Sequence, residues 1–157
     1  MTVDELLTRC DLVRASEKKL SECKPFSCGE ADLDEFFAKD CLVNQHHLLG
    51  KTTLKRFPAV LIGRLGTSSD FAGQGFGTAI MDFIKVLFRT NNRTGCRFLI
   101  VDALNHPETL HYYEKNGFRY LIADERLEAK YMGIGIGRLP LNTRLMYFDL
   151  LKLNVNK

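Results

Sequence analysis

Apolar positions along the chain change period several times, and each change marks an element. Ala59-Val60-Leu61-Ile62 is a continuous apolar run of strand length, as is Phe98-Leu99-Ile100-Val101 within residues 97–103. Between them Phe76, Ile80, Phe83, Ile84, Leu87 and Phe88 recur at helical spacing, with Asp82, Lys85 and Arg89 left to water. That pattern predicts an amphipathic helix over 75–90 with one face on a sheet. Asn105-His106-Pro107-Glu108 predicts a further helix start: Asn105 as N-cap, a proline in the first turn, and a Glu three residues after the cap to close a capping box. Asn116-Gly117-Phe118 ends that helix, with Gly117 as a left-handed C′ residue and Phe118 folding back on the last turn. Leu110 and Tyr113 then share a face, and Tyr112 is turned about 100° away. Nearer the start, Asp32 with Glu35 predicts another capping box, and Leu33, Phe36, Phe37 and Cys41 form the apolar face of a core helix ending near residue 50. Arg144-Leu145-Met146-Tyr147-Phe148-Asp149-Leu150 is the last strand.

Composition narrows the class. A chain of 157 residues with 45% apolar content supports one core, so residues 1–157 are read as a single domain. Met1-Thr2-Val3-Asp4-Glu5 is acidic and lacks the cationic flank of an export signal, and no apolar run is long enough to span a bilayer. Five cysteines at irregular positions (Cys10, Cys23, Cys28, Cys41, Cys96) suit reduced thiols and a cytoplasmic location. Cys23 and Cys28 with His46 and His47 match no zinc spacing, and no metal is expected. The net charge of +3 is spread over clusters such as Lys51, Lys55, Arg56 and Arg89, Arg93, Arg97, with no block of five like charges, which reads as solvated surface. Residues 129–142 are the one linker-like stretch. Their Gly133-Ile134-Gly135-Ile136-Gly137 is followed by Arg138-Leu139-Pro140, and a proline there breaks the helix a phosphate site would need.

The candidate chemistry lies in Phe71-Ala72-Gly73-Gln74-Gly75-Phe76-Gly77-Thr78, between the first strand and the long helix. Glycines at alternate positions let the backbone approach a ligand, and a helix N-terminus directs N–H groups and a positive dipole end at it. A pyrophosphate is the favoured guest, although the bare pattern also describes an ordinary turn. A dinucleotide fold would want an acidic residue ending the next strand, where Asn105 follows instead. A nucleoside triphosphatase loop would want Lys-Ser or Lys-Thr after the glycines, where Thr78-Ala79 stands.

A strand, this loop, a helix, a second strand and then Tyr113-Glu114-Lys115-Asn116-Gly117-Phe118 together resemble the GNAT family of acetyl-CoA-dependent N-acetyltransferases. Phe26-Ser27-Cys28-Gly29-Glu30-Ala31-Asp32-Leu33-Asp34-Glu35-Phe36-Phe37 is similar to the opening of a subgroup holding bacterial acetyltransferases and the toxins of toxin–antitoxin pairs that acetylate aminoacyl-tRNA. The resemblance implies an α/β fold: a curved, mixed sheet flanked by helices and split at a parallel pair, residues 59–65 and 98–104. It implies acetyl-CoA as co-substrate, its pantetheine bonding to the backbone of Leu65, Gly66 and Thr67. The pyrophosphate would rest on Gly73, Gln74, Gly75, Phe76, Gly77 and Thr78, with Asn105 touching the coenzyme or serving only as a cap. Tyr113 would protonate the departing thiolate. Asp70, Asp102 and His111 are candidates for a general base, and spacing favours none of them.

The chain departs from the family's pattern twice. Ala72 stands where the loop usually opens with a long polar side chain. The family's second and third strands have only Lys51-Thr52-Thr53-Leu54-Lys55-Arg56-Phe57 in their place, and a strand takes about five residues. The sheet is therefore expected to lack or shorten them, leaving strand 59–65 an edge that a second copy or the amino-terminal strand would cover. Three functions stay open: acetyl transfer to a primary amine of a small molecule or peptide, a toxin acting on aminoacyl-tRNA and held by an antitoxin, and a non-catalytic CoA-binding module.

Overall fold

The computed structural model describes residues 1–11, 13, 16–40, 59–63, 65–90 and 95–153. Several expectations lie outside these residues: the end of the early helix with Cys41, the histidines His46 and His47, the short connection 51–57 and its cations, and Arg93. The described residues fall into two compact units, one within 1–50 and 64–84, the other within 51–63 and 85–157.

In the first unit, α1 (Val3–Arg9) opens on a capping box in which Thr2 Oγ1 accepts from Glu5 N–H and the Glu5 carboxylate accepts from Thr2 N–H. Its Leu6 packs with Phe76 and Ala79, and Met1, Cys10, Ile80 and Phe83 lie against that cluster. After α2 (Glu17–Glu22), α3 (Ala31–Glu35) runs on as a wider π turn over Phe36–Asp40. The box expected from Asp32 does not form, because Glu30 is the N-cap and Asp32 lies within the helix. Asp34 works there instead, accepting from Cys28 N–H at 2.7 Å and from the Ser27 hydroxyl at 3.2 Å. The Cys28 amide, first among its donors, holds the Asp34 carboxyl below its usual range.

The second unit holds the sheet. Among the described residues it has four strands in the order β1-β2-β4-β3, where β1 is Ala59–Ile62, β2 Phe98–Leu104, β3 Arg119–Tyr120 and β4 Thr143–Asp149. β1 and β2 are the parallel pair, and the other ladders are antiparallel. Leu99, Ile100 and Val101 are buried in succession, as expected of a central strand covered on both faces. The helix read between these strands is α4 (Phe76–Thr90), and α5 (Pro107–Lys115) follows β2 and contacts it. β1 stops at Ile62, so Leu65, Gly66 and Thr67 follow the strand rather than extend it. The linker expected over 129–142 is partly helix: α6 (Glu125–Tyr131) contains Ala129, fully buried, and a 3-10 turn forms at Ile136–Arg138.

Two ion pairs tie distant segments of this unit. Arg144 donates to Glu128 at 2.7 Å and to the carbonyls of Ile122 and Ala123, and lies over the Tyr120 ring; both partners of the pair are buried. Arg97 grips Asp149 with two hydrogen bonds of 3.1 and 2.7 Å, and Leu151 N–H donates to the same carboxylate. The Arg97 hydrogen bond, chief among these, holds the Asp149 carboxyl below its ordinary range. A depressed folded-state pKa stabilises the fold above the unfolded value near 4 and stops doing so as pH falls through the folded one. Asp149→Asn is therefore expected to lower stability at neutral pH by about 1–3 kcal/mol. In melts run from pH 7 downward, the gap to the parent protein should narrow below about pH 4.

Candidate active site

The glycine loop is built by backbone geometry. Gly73 and Gly75 have φ of +72° and +83°, a region that residues with a Cβ rarely adopt. A 3-10 turn at Ser69–Phe71 leads in, and the Gln74 side-chain amide donates to Asp70 O at 3.0 Å, so the loop's one long polar side chain braces its own turn. The first amide of α4 bonded along the helix is Ala79's, to Gly75 O at 3.0 Å. The amides of Phe76 and Thr78 lie ahead of that ladder, at the positive end of a 15-residue helix. A Cβ on Gly73 would meet open space, whereas one on Gly75 would come 3.3 Å from Met1. The cradle is thus open on the Gly73 side and backed at Gly75 by Met1, ahead of α1.

Arg9, at the end of α1, stacks its guanidinium 5.0 Å from the centre of the Phe76 ring, placing an exposed cation at the first residue of α4. Sequence reasoning missed this residue, since nothing local links residue 9 to the loop. Like charge beside a helix N-terminus is unfavourable by itself and becomes favourable when an anion lies there. Arg9 is thereby a candidate to replace the polar side chain that Ala72 does not provide.

Of Leu65, Gly66 and Thr67, Gly66 lies against the early segment. A Cβ on Gly66 would lie 3.0 Å from the Phe26 ring and 3.6 Å from Cys28 Sγ, so only glycine fits without a shift. Ser69 N–H donates to Ser27 O at 2.6 Å, fastening this stretch to residues 26–28. Burial, aided by the Asp34 carboxylate, pushes the Cys28 thiol up, which keeps it protonated and a poor nucleophile.

Tyr113 lies on α5, held from the helix end. Gly117, at φ +81°, sends its N–H to Glu114 O, and Phe118 sends its own to Tyr113 O at 3.0 Å, the paired bonds of a Schellman turn. The Phe118 ring then meets the Tyr113 ring at 5.5 Å, and Tyr112 stands edge-on at 5.2 Å from the other side. Tyr113 is buried and Tyr112 half-buried, as the helical phase implied. Burial raises the Tyr113 phenol above its usual value, so the proton stays on the oxygen throughout the neutral range.

Asn105 corrects a sequence expectation. The N-cap of α5 is His106, with no side-chain cap bond, and Pro107 occupies the first helical position. The Asn105 amide is committed across the unit to Leu141 O at 2.7 Å and Glu125 Oε1 at 2.9 Å. Of the base candidates, Asp70 is exposed on the turn before the glycine loop, while Asp102 and His111 are exposed on β2 and α5. Geometry promotes none of them.

A chain with a parallel pair opening a mixed sheet, a glycine-lined helix N-terminus and a buried tyrosine on the next helix has the architecture of an acyl-CoA N-acyltransferase. The family described as "Acetyltransferase (GNAT) domain" matches residues 34–120, a span that takes in both the glycine loop and Tyr113. The chain belongs to this GNAT family, whose members transfer acetyl groups from acetyl-CoA. Among curated proteins, none matches it in sequence. Solved structures share the fold at low identity. AtaTR bound with acetyl-CoA superposes with a TM-score of 0.58 at 20% identity, over 80% of this chain and 83% of that one. A Tyr-to-Phe mutant of the AtaT toxin, bound to the C-terminus of the antitoxin AtaR and acetyl-CoA, gives 0.56 at 19% over 80% and 84%. The KacTA–DNA complex gives 0.55 at 20% over 83% and 86%.

Proposed function

We propose that residues 1–157 act as one N-acetyltransferase domain that moves an acetyl group from acetyl-CoA to a primary amine. The observation that carries this reading is the open cradle of positive-φ glycines heading α4, in a chain of a family whose donor is acetyl-CoA. In this reading the loop from Gly73 to Thr78 holds the pyrophosphate, with Arg9 adding charge, and the backbone of Leu65, Gly66 and Thr67 runs beside the pantetheine. Asn105 contributes through its position at the end of β2, since its amide is already engaged. The amine nitrogen attacks the thioester carbonyl, whose developing charge is met by backbone N–H groups, and the C–S bond breaks. Tyr113 gives its phenolic proton to the departing sulfur. The amine's surplus proton leaves to water or to a base outside this assignment. Holding the reactants together supplies much of the rate.

A second reading is a toxin that acetylates aminoacyl-tRNA and is restrained by an antitoxin, favoured by the similarity of fold to AtaT, which is a toxin. It would arrest growth when expressed alone and lose that effect with Tyr113→Phe. A bacterial cytoplasm suits either reading, with acetyl-CoA at hand and Cys10, Cys23 and Cys28 as free thiols. No helix among the described residues is long and apolar enough to cross a membrane.

Thermal shift tests the donor. Acetyl-CoA at a hundredfold excess over its Kd should stabilise the protein by about 2.7 kcal/mol. Gly75→Glu sets a carboxylate in the cradle, at a left-handed position already packed by Met1, and should abolish that rise as well as lower the unliganded melting point. Gly73→Asn tolerates its φ and meets open space, so it should keep the parent's unliganded melting point while its side chain, set in the open cradle, weakens binding. Equal stabilisation of Gly75→Glu and the parent would remove the loop from the site.

A further inference from the structure

We propose that the outward face of α6, with the 3-10 turn after it, docks an acidic, apolar-bearing segment of a partner protein. The inference rests on the way this helix divides its charges. Every carboxylate at α6 is committed to the protein's own fold. Asp124 caps the helix by accepting from Arg126 and Leu127 N–H, and Glu125 accepts from Leu141 N–H at 2.8 Å and from Asn105. Glu128 is buried against Arg144 and takes Leu145 N–H at 2.7 Å.

The opposite side carries only cations and apolar groups. Helical geometry puts Arg126, Leu127, Lys130 and Tyr131 together, away from Glu125, Glu128 and Ala129. Leu127 is 45% exposed and Tyr131 77% exposed. The chain then turns back through Ile134 N–H to Ala129 O at 2.8 Å, and the residues that follow the helix include Met132 and Ile136, 49% and 70% exposed, and the exposed Arg138. No described carboxylate is paired with Arg126, Lys130 or Arg138. Single exposed apolar residues are ordinary, but four large ones within ten positions, interleaved with charge of one sign, mark an interaction surface.

Charge selects the occupant. A second copy docked face to face would set Arg126, Lys130 and Arg138 against themselves, a like-charge arrangement that opposes association. Nucleic acid would use the cations and Tyr131 but would leave Leu127, Met132 and Ile136 without a counterpart. A segment bearing Glu or Asp beside Leu or Phe satisfies both halves, as in recognition of amphipathic helices and acidic motifs.

The test uses the full chain and a fluorescein-labelled synthetic helix-forming peptide built from repeats of Glu-Leu-Leu-Glu-Glu-Phe, read by anisotropy. Binding is expected, weaker in high salt and absent for the same peptide with Lys in place of Glu. Arg126→Glu with Lys130→Glu, and separately Tyr131→Ser, should each weaken it about tenfold or more. Lys18→Glu, on α2, should leave it unchanged. All these positions are exposed, so melts should match the parent's, and acetyl-CoA should still stabilise each variant, separating this proposal from the donor assignment. The proposal is overturned if the peptide does not bind, or if the α6 variants bind it as the parent does. It is equally overturned if sedimentation shows a dimer that Tyr131→Ser dissociates, or if a labelled RNA hairpin binds through these residues and displaces the peptide.

Discussion

Tyr113→Phe is expected to cut turnover by about a hundred- to ten-thousand-fold while leaving acetyl-CoA binding intact. The substitution deletes one oxygen from a ring whose position is fixed by Phe118 at 5.5 Å and Tyr112 at 5.2 Å, so the packing survives. In the proposed reaction, only the proton for the departing thiolate is lost. Steady-state kinetics should therefore show the loss in kcat, with the thermal shift by acetyl-CoA unchanged. Tyr112→Phe, one residue away on the same helix, should alter kcat by no more than a few-fold. Because burial raises the Tyr113 phenol, its ionisation should not limit the rate below about pH 10. Equal behaviour of the two variants would make Tyr113 a core residue and place the acid elsewhere.

The largest loss of stability is expected at Glu128. Its side chain is 2% exposed and that of Arg144 9%, so neither charge can turn to water when the other is removed. Glu128→Ala strands a buried guanidinium with only two carbonyls and the Tyr120 ring, and leaves Leu145 N–H without its acceptor. Breaking a buried pair from one side typically destabilises by about 3–5 kcal/mol. Much of a small domain's stability is about that size, so urea titration should find the variant marginally folded. Glu128→Leu combined with Arg144→Met removes both charges together and should be more stable than either single change. A double variant as unstable as the sum of its parts would show that the two charges do not depend on each other.

What could be read in the sequence was whatever its neighbours along the chain determine. The period of Phe76, Ile80 and Phe83 defines α4 because burial follows the helical repeat, and Asn116-Gly117-Phe118 defines the end of α5 because a Schellman turn closes within six residues. The failures share one cause, which is that distant partners outbid local ones. Asn105 matches the pattern of an N-cap, yet its amide goes to Leu141 and Glu125. Asp32 and Glu35 match a capping box, yet Asp34 is the residue that ties the helix down, through Cys28 and Ser27. Glycines and a proline made 129–142 look like linker, but Ala129 is fully buried within α6. Arg9 beside Phe76 lies beyond any local pattern. The glycine turn ahead of α4 was legible in the sequence; its charged neighbour was not.

The order of strands in the sheet governs how the chain must fold. Ala59 pairs with Phe98, Phe98 with Asp149 and Arg119 with Tyr147, so no ladder among the described strands is a hairpin. Each pairing must close a loop of dozens of residues before any ladder bond forms, and topologies of this kind fold in milliseconds to seconds rather than microseconds. On the ribosome the disadvantage is sharper. The apolar run Leu99–Val101 gains its antiparallel neighbour only after residues 143–149 have emerged, so for most of synthesis β2 has at best β1 beside it. The helix α5, which closes locally and contacts β2, is the element able to shelter that half-built sheet until its last partner arrives.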